Sequence, residues 1–489
     1  MSSAASPHSR SINAMREQEI KLSVDRSFRW PEQYGTPLPR RHLISTYYDT
    51  AAYDLAHARI TLRHRIERGK QSWQLKIPLG DDRQEVEASG TQGNPPAALR
   101  TLLILHLGHR RLTPVVTLRV RRAGLLVRQG RIPIAELALD HVAVVTHGAV
   151  IQHFRELEIE QRQGDKNSLR ALERQLRNAG ASDHDGRPKL FRALSLQISA
   201  PPLQPEANAP VIEHLKWALT QHVEWLLAHD PGTRLGTESE SVHQFRVAIR
   251  RLRAVLRAAR PTLLPAWVRS LEQELTWLSE LLGPARDLDV QIAYFIQEST
   301  GLNARDRKLL AQFISHLHAQ RAVVQQMLRR ELTSARYFEL IRRLQQAAQD
   351  PSIIDSPLTI RTLANRQFRK LRGTIRQLRS SPSAVALHKV RIKVKRARYA
   401  ADLARCSVGK PASRFMKSAR RVQEVLGSHQ DAIQAERYIQ QFVKYSTSVR
   451  AGFLAGRMAE RQRHRRDTIR KELNPLFKAM LKQGKKTWG

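Results

Sequence analysis

The sequence is short of cysteine, aromatic residues, acidic residues and long apolar runs, and each shortage excludes something. Its one cysteine, Cys406, cannot close an intramolecular disulfide and lacks the neighbouring thiols of a zinc or redox motif, which fits a reducing compartment. No stretch approaches the roughly 18 uncharged apolar residues of a membrane span, and the N-terminus carries Arg10 but no apolar signal-peptide core. A soluble, cytoplasmic protein with no membrane partner is expected. Asp and Glu number 44 against 83 Lys and Arg, a balance of +39. With only 6% aromatics, that excess calls for polyanionic partners, phosphate-rich ligands first.

At 489 residues the chain exceeds the roughly 100–200 of one domain, so at least two cores are expected. From Glu17 to about Glu160 apolar and polar residues alternate, as in Thr61–Ile66 and Arg155–Glu160, which is a strand period. After Pro201 and Pro202 the pattern becomes long amphipathic runs such as Ile212–His229, Val242–Ala259 and Leu387–Ala404, which is a helix period. The expected division is a disordered tail at 1–14, a strand domain at 15–200, a Pro-rich linker at 201–211 and a helical domain at 212–489. Residues 1–200 hold 31 basic and 20 acidic residues, and 201–489 hold 52 and 24. Carboxylates for metal chemistry are therefore relatively plentiful in the first half.

Several of the strands carry charges at i and i+2: Glu17, Glu19 and Lys21; Arg63 and Arg65; Arg83, Glu85 and Glu87; Arg119 and Arg121; Glu156, Glu158 and Glu160. Period two puts each set on one face. The intervening Ile20, Leu22, Leu62, Val86, Val120, Leu157 and Ile159 are left to pack outward. One reading is an open antiparallel sheet with solvated, salt-bridged faces. The other is a closed barrel whose lumen holds a metal and a polyanion, with carboxylates on Mg²⁺ or Mn²⁺ and bases on phosphate.

Glu17-x-Glu19-x-Lys21 resembles the ExExK signature of CYTH domains, the triphosphate tunnel metalloenzymes. Tyr47-Tyr48-Asp49-Thr50, Leu55, Leu62-Arg63-His64-Arg65 and Trp73-Gln-Leu-Lys76 are similar to that family's following segments. Arg83-Gln-Glu85-Val-Glu87, Arg119-Val-Arg121, Ala138-Leu-Asp140 and Glu156–Glu160 continue in family order over about 175 residues. The resemblance implies an eight-stranded antiparallel β-tunnel with flanking helices. It also implies Glu17, Glu19, Glu158 and Glu160 as metal ligands, with Asp140 and Glu156 as outer or alternative ones. Lys21, Arg63, Arg65, Lys76, Arg119 and Arg121 would grip phosphate, and Glu17, Glu19, Lys21, Arg63, Arg65 and Lys76 would form the catalytic set. Lys189 stands where the family often has a Ser-Lys pair, here preceded by Pro188, and would bind substrate as well.

The second half repeats itself. His243-Gln-Phe-Arg246-Val-Ala-Ile-Arg250-Arg251-Leu-Arg253 recurs 145 residues on as His388-Lys-Val-Arg391-Ile-Lys-Val-Lys395-Arg396-Ala-Arg398. Leu282-Gly283-Pro-Ala-Arg286-Asp287 recurs 144 residues on as Leu426-Gly427-Ser-His-Gln430-Asp431. The two copies are expected at about 212–350 and 356–489. At about 100° per residue His243, Arg246, Arg250, Arg253 and Arg257 share an arc of roughly 80°, a basic stripe with an apolar face behind it. Gly283 and Gly427 read as helix C-caps and Pro284 as a first-turn residue. These motifs resemble the CHAD family of duplicated four-helix bundles that bind inorganic polyphosphate. The resemblance assigns binding to His243, Arg246, Arg250, Arg253, Arg257, His388, Arg391, Lys395 and Arg398. Nucleic acid is disfavoured, because few aromatics interleave the stripes.

The expected architecture is therefore α+β and multidomain, with a β-tunnel followed by an all-α duplicated bundle. The expected activity is metal-dependent hydrolysis of inorganic tripolyphosphate to pyrophosphate and phosphate, with long-chain polyphosphate held by the helices. Association with polyphosphate granules would follow from such binding. The alternative is a non-catalytic polyphosphate-binding or targeting protein whose tunnel only senses a triphosphate. Cyclase chemistry on a nucleotide comes third, since no base pocket is evident.

Overall fold

A computed structural model of the chain describes residues 13–17, 19–30, 34–79, 82–196, 203–446 and 448–489. Two compact units result, Met1–Ala200 and Pro201–Gly489. The first twelve residues of the expected tail lie outside the described residues, while Asn13 and Ala14 already pair in a strand. Val211, assigned to the linker, opens a helix.

The first unit contains β1 (Asn13–Glu17), β2 (Glu19–Ser23), β3 (Thr36–Asp49), α1 (Asp54–His57), β4 (Thr61–Glu67), β5 (Lys70–Leu79) and β6 (Asp82–Ser89). Then come α2 (Ala97–Leu107), β7 (Thr113–Gln129), β8 (Ile132–Thr146), β9 (Ala149–Gln161), α3 (Lys166–Asn178), β10 (Ser182–Asp183) and α4 (Lys189–Ala193). One antiparallel sheet joins them in the order β1-β6-β5-β4-β3-β7-β8-β9-β2-β10. Arg68-Gly69 and His147-Gly148 turn two of its hairpins with positive φ at both residues, the turn geometry that matches strand twist.

The expected closed tunnel is, in its hydrogen bonds, an open sheet. No ladder joins β1 to β2 among the described residues. The chain nevertheless links the edge strand β1 to β2, the strand next to the opposite edge β10, because β1 ends at Glu17 and β2 begins at Glu19. Two residues of extended backbone span at most about 7 Å. Counted as halves of one segment, β1 and β2 bring the long strands to eight.

Of the apolar set expected to face outward, Ile20, Leu22, Leu157 and Ile159 do so, whereas Val120 packs on the inner face. Leu22, Leu137, Leu139, Leu157 and Ile159 form a core with Leu169, Leu172 and Leu176 of α3. On the opposite face, Leu43, Val116, Leu118, Val120, Val142 and Val144 close around Leu190 and Phe191 of α4. The inner face is thus apolar and filled where α4 enters, and Lys189 at the start of that helix faces the charged remainder.

The second unit runs α5 (Val211–Leu235), α6 (Ser239–Ala259), α7 (Pro265–Leu281), α8 (Gly283–Ser299), α9 (Ala304–Glu331), α10 (Ala335–Gln349), α11 (Ile360–Arg376), α12 (Ala384–Leu403), α13 (Arg405–Val408), α14 (Lys410–Tyr445) and α15 (Val449–Trp488). The helices α12, α14 and α15 begin 145 residues after α6, α7 and α9, so the duplication extends to whole elements. The copies differ where proline does. Pro284 stands in the first turn of α8, where its missing N–H costs nothing, and it forces the break between α7 and α8. Ser428 replaces it in the second copy and α14 runs through unbroken. Neither glycine is therefore a C-cap: Gly283 opens α8 and Gly427 lies within α14. Gly484 does have a packing reason, since a Cβ there would lie 2.1 Å from the ring of Phe368.

Candidate functional site

The charged part of the inner face surrounds a cavity of about 260 Å³. Its two sides differ in character. β2, β8 and β9 bring up carboxylates that are already neutralised. Lys21 Nζ donates to Glu156 and Glu158 at 2.7 Å each, and Lys189 Nζ donates to Asp140 at 2.7 Å and Glu158 at 2.9 Å. Arg122 forks onto both oxygens of Asp140 at 2.7 Å and reaches Glu158 at 2.7 Å and Glu160 at 2.9 Å. Burial of Glu158 opposes its ionisation, but Lys189, Lys21 and Arg122 outweigh that and hold its carboxyl well below the ordinary range. For Glu156 the same contest, with Lys21 and Lys189 on the winning side, leaves the carboxyl at about 2.

β4, β5 and β6 supply the other side with Arg63, Arg65, Lys76 and Arg83, against Glu85 and Glu87. Arg63 is held in place by Gln74 Oε1 at 2.8 Å and the Tyr47 hydroxyl at 3.2 Å. Arg65 has no such support. Its Nε is shut away from solvent and has no hydrogen-bond partner. Burial, then the like charges of Arg63 and Arg122, pull its guanidinium down to about 10. Tyr47 and Glu85 act in the opposite sense without offsetting the fall, so this buried donor beside two other cations has an interaction to gain from an anionic ligand.

The helical unit offers a different surface. α6 and α12 pack together, so the two basic stripes become neighbours. Arg250 lies near Arg391 and Lys395, and Arg253 and Arg257 lie near Arg396. The copies also match in detail. Arg246 lies over Gly283 and near Asp287, as Arg391 lies over Gly427 and near Asp431. His243 faces Arg286, and His388 Nδ1 meets Gln430 at 3.2 Å, so the replacement of Arg286 by Gln430 falls on the histidine's neighbour. The Nε atoms of Arg250, Arg253, Arg391 and Arg398 are buried without a partner, and burial with Arg391, Arg250 and Arg398 brings Lys395 to about 7.

The CYTH domain model matches residues 15–190 and the CHAD domain model residues 218–440. The chain is a CYTH domain followed by a CHAD domain. An uncharacterised protein of Mycobacterium tuberculosis strain H37Rv is 28% identical over 491 residues, 92% of this chain and 91% of that protein. Among solved structures, the CHAD domain of Ricinus communis is 22% identical with a TM-score of 0.47, covering 58% of this chain and 96% of that one. An adenylyl cyclase candidate from Hippeastrum with a dominant triphosphatase activity is 19% identical with a TM-score of 0.26, covering 39% of this chain and 98% of that one. At these scores the solved structures add no weight, and the assignment rests on the two domain models.

Within the CYTH unit, Glu19, Lys21, Arg63, Arg65, Lys76, Glu158, Glu160 and Lys189 all line the cavity. Asp140 and Glu156 do not; they lie fully buried behind it, engaged by Lys21, Arg122 and Lys189. Glu17 stands opposite Arg83 in the β1–β6 register, and its side chain lies outside the described residues. Arg119 and Arg121 are corrected. They are exposed on the outer face, because the inner positions of β7 are Val116, Leu118, Val120 and Arg122. Alternation fixes which residues share a face but not which face is inner. The third arginine of Arg119-Val-Arg121-Arg122 was the available signal. Arg41, Tyr47, Gln74 and Arg162 also line the cavity and had no such pattern to mark them.

Proposed function

We propose that the CYTH unit hydrolyses inorganic tripolyphosphate with a divalent metal, Mg²⁺ or Mn²⁺, and that the CHAD unit binds long-chain polyphosphate. The observation that carries the reading is the unpartnered, desolvated Arg65 beside Arg63, Lys76 and Arg83. A phosphate chain would satisfy its donor and relieve the mutual repulsion of the group. Lys21, Lys189 and Arg122 would orient the chain from the opposite side.

The carboxylates suit a hard cation in chemistry, since all are oxygen donors. Among the described residues no group of three is spaced to hold a metal as it stands. Glu19, Glu158 and Glu160 would hold the ion, with Glu17 as a further ligand. Glu19 is the least engaged, with Lys21 at 3.5 Å. When bound, the metal neutralises developing charge on the phosphate and orients the attacking water. The residues themselves position the anion and exclude solvent.

Phosphate release from tripolyphosphate, ATP and long-chain polyphosphate, with Mg²⁺ or Mn²⁺ against EDTA, tests this directly. Metal-dependent release from tripolyphosphate is expected, and a Glu17→Gln/Glu19→Gln variant is expected to lose it. The prior engagement of Glu156 and Glu158 by lysines favours one competing reading, a tunnel that senses a triphosphate without cleaving it. No release, in protein that binds polyphosphate, would select that reading.

Lys395 gives the CHAD unit a pH dependence. An anion needs the ammonium form, whose pKa in the free protein is about 7 under the influence of burial, Arg391, Arg250 and Arg398, with Asp431 opposing. Binding raises that pKa, so its contribution is full below pH 7 and fades as pH rises from 7 toward the bound value. Polyphosphate affinity is expected to fall by up to about tenfold per unit between pH 7 and 9. In Lys395→Arg, which keeps its charge, a titration over this range should be flat; an unaltered slope would remove Lys395 from the site.

A further inference from the structure

The outer face of the CYTH sheet carries a set of bases that the cavity does not use. His42 on β3, Arg121 on β7, His141 on β8 and Arg155 on β9 stand directly opposite one another in register, a row of two arginines and two histidines across four strands. The next row is Ile44, Arg119, Ala143 and His153. All of these residues except Arg155 line a groove of about 780 Å³ that also takes in Arg40, Arg41 and Arg122 and contains no carboxylate and no Phe, Tyr or Trp.

Neighbouring side chains in a solvated sheet usually pair opposite charges, and like charges directly opposite destabilise it. The acids close to this row are committed elsewhere. Asp140 is on the inner face under Arg122 and Lys189, and the Asp25 carboxylate accepts from the Ser27 hydroxyl and the Phe28 amide. Arg155 is aimed by the backbone carbonyls of Asp25 and Phe28, which adds Arg29 to the neighbourhood. Meanwhile Arg119 and Arg121 remain exposed on the sheet surface. The fold alone does not require a sheet surface that gathers arginines with no carboxylate among them.

We propose that this outer face is a docking track for a linear polyphosphate chain, additional to the CHAD stripes and to the cavity, which it meets at Arg41 and Arg122. Charge complementarity carries it, with five arginines and no carboxylate in the groove, and the lack of Phe, Tyr and Trp leaves few stacking faces for a chain that bears bases. The track extends the polyphosphate reading above and rests on it for the identity of the anion. It would give long chains a hold on the CYTH unit that tripolyphosphate does not need.

The test uses the full chain with Arg250, Arg253, Lys395 and Arg398 changed to Gln, so that binding through the CHAD stripes is suppressed. Affinity for long-chain polyphosphate is measured at several salt concentrations, then again after adding Arg119→Gln and Arg121→Gln. The pair is expected to lower the residual affinity about tenfold and flatten the log–log salt slope by about 1.5, as two lost phosphate contacts would. No residual binding before the pair is added, or residual binding that the pair leaves intact, overturns the proposal. A single-stranded oligonucleotide of matched charge that binds as tightly and is lost with the same pair also overturns it, by making nucleic acid the occupant. Tripolyphosphate turnover is followed in parallel. Its absence from the unmodified chain would count against the hydrolase alone, because the track is read by binding.

Discussion

An Arg65→Gln protein is expected to lose about 10²–10³-fold in kcat/KM for tripolyphosphate while melting at or above the temperature of its parent. The two effects have opposite causes. In the free protein Arg65 is a cost: its Nε has no acceptor, and Arg63 and Arg122 repel it. Removing such a charge relieves repulsion and desolvation without breaking an ion pair. With a triphosphate in the cavity, the same guanidinium becomes one of the donors aimed at phosphate oxygens, and loss of one such donor costs about 3–4 kcal/mol of transition-state stabilisation. Arg119→Gln is the matched control, an exposed arginine on the other face, and should leave turnover of the short substrate unchanged. A large drop in melting temperature with activity retained would make Arg65 a structural residue and remove the main support for the cavity as an anion site.

Much of this site could be read from spacing alone. Glu19, Lys21, Arg63, Arg65, Glu158 and Glu160 all reach the cavity because period two holds through β2, β4 and β9. On β7 the same rule failed, since both alternate sets are plausible inner faces and the decisive apolar set, Val116, Leu118 and Val120, packs on a helix distant in sequence. The antiparallel sheet was legible but its open hydrogen-bonding was not, because pairing partners such as Glu17 with Arg83 and Glu19 with Glu160 depend on tertiary contacts. In the helical half, the 145-residue offset announced the duplication. It did not say that α6 and α12 lie side by side, and that adjacency is what sets Arg250 against Arg391 and Lys395.

Asp140 separates a metal ligand from a positioning residue. The family resemblance places it among the outer ligands, yet it is fully buried and both its oxygens are taken, by the Arg122 fork and by Lys189. Burial alone would raise its carboxyl; Lys189 and Arg122 outweigh burial and lower it. Asp140→Asn leaves two buried cations facing an amide, and breaking a buried pair in this way costs about 3–5 kcal/mol. For a unit of this size the melting temperature is expected to fall by roughly 6–20 °C. A carboxyl whose folded pKa is depressed contributes stability above its unfolded value, near 4, and loses it as pH falls through the folded value. The gap between parent and variant should therefore be widest above pH 5 and narrow as pH drops below about 4. It should also persist in EDTA, because the partners of Asp140 are protein cations. Equal melting of the two proteins in EDTA, with a difference appearing only when Mg²⁺ or Mn²⁺ is added, would return Asp140 to the metal and leave Arg122 and Lys189 as its passive neighbours.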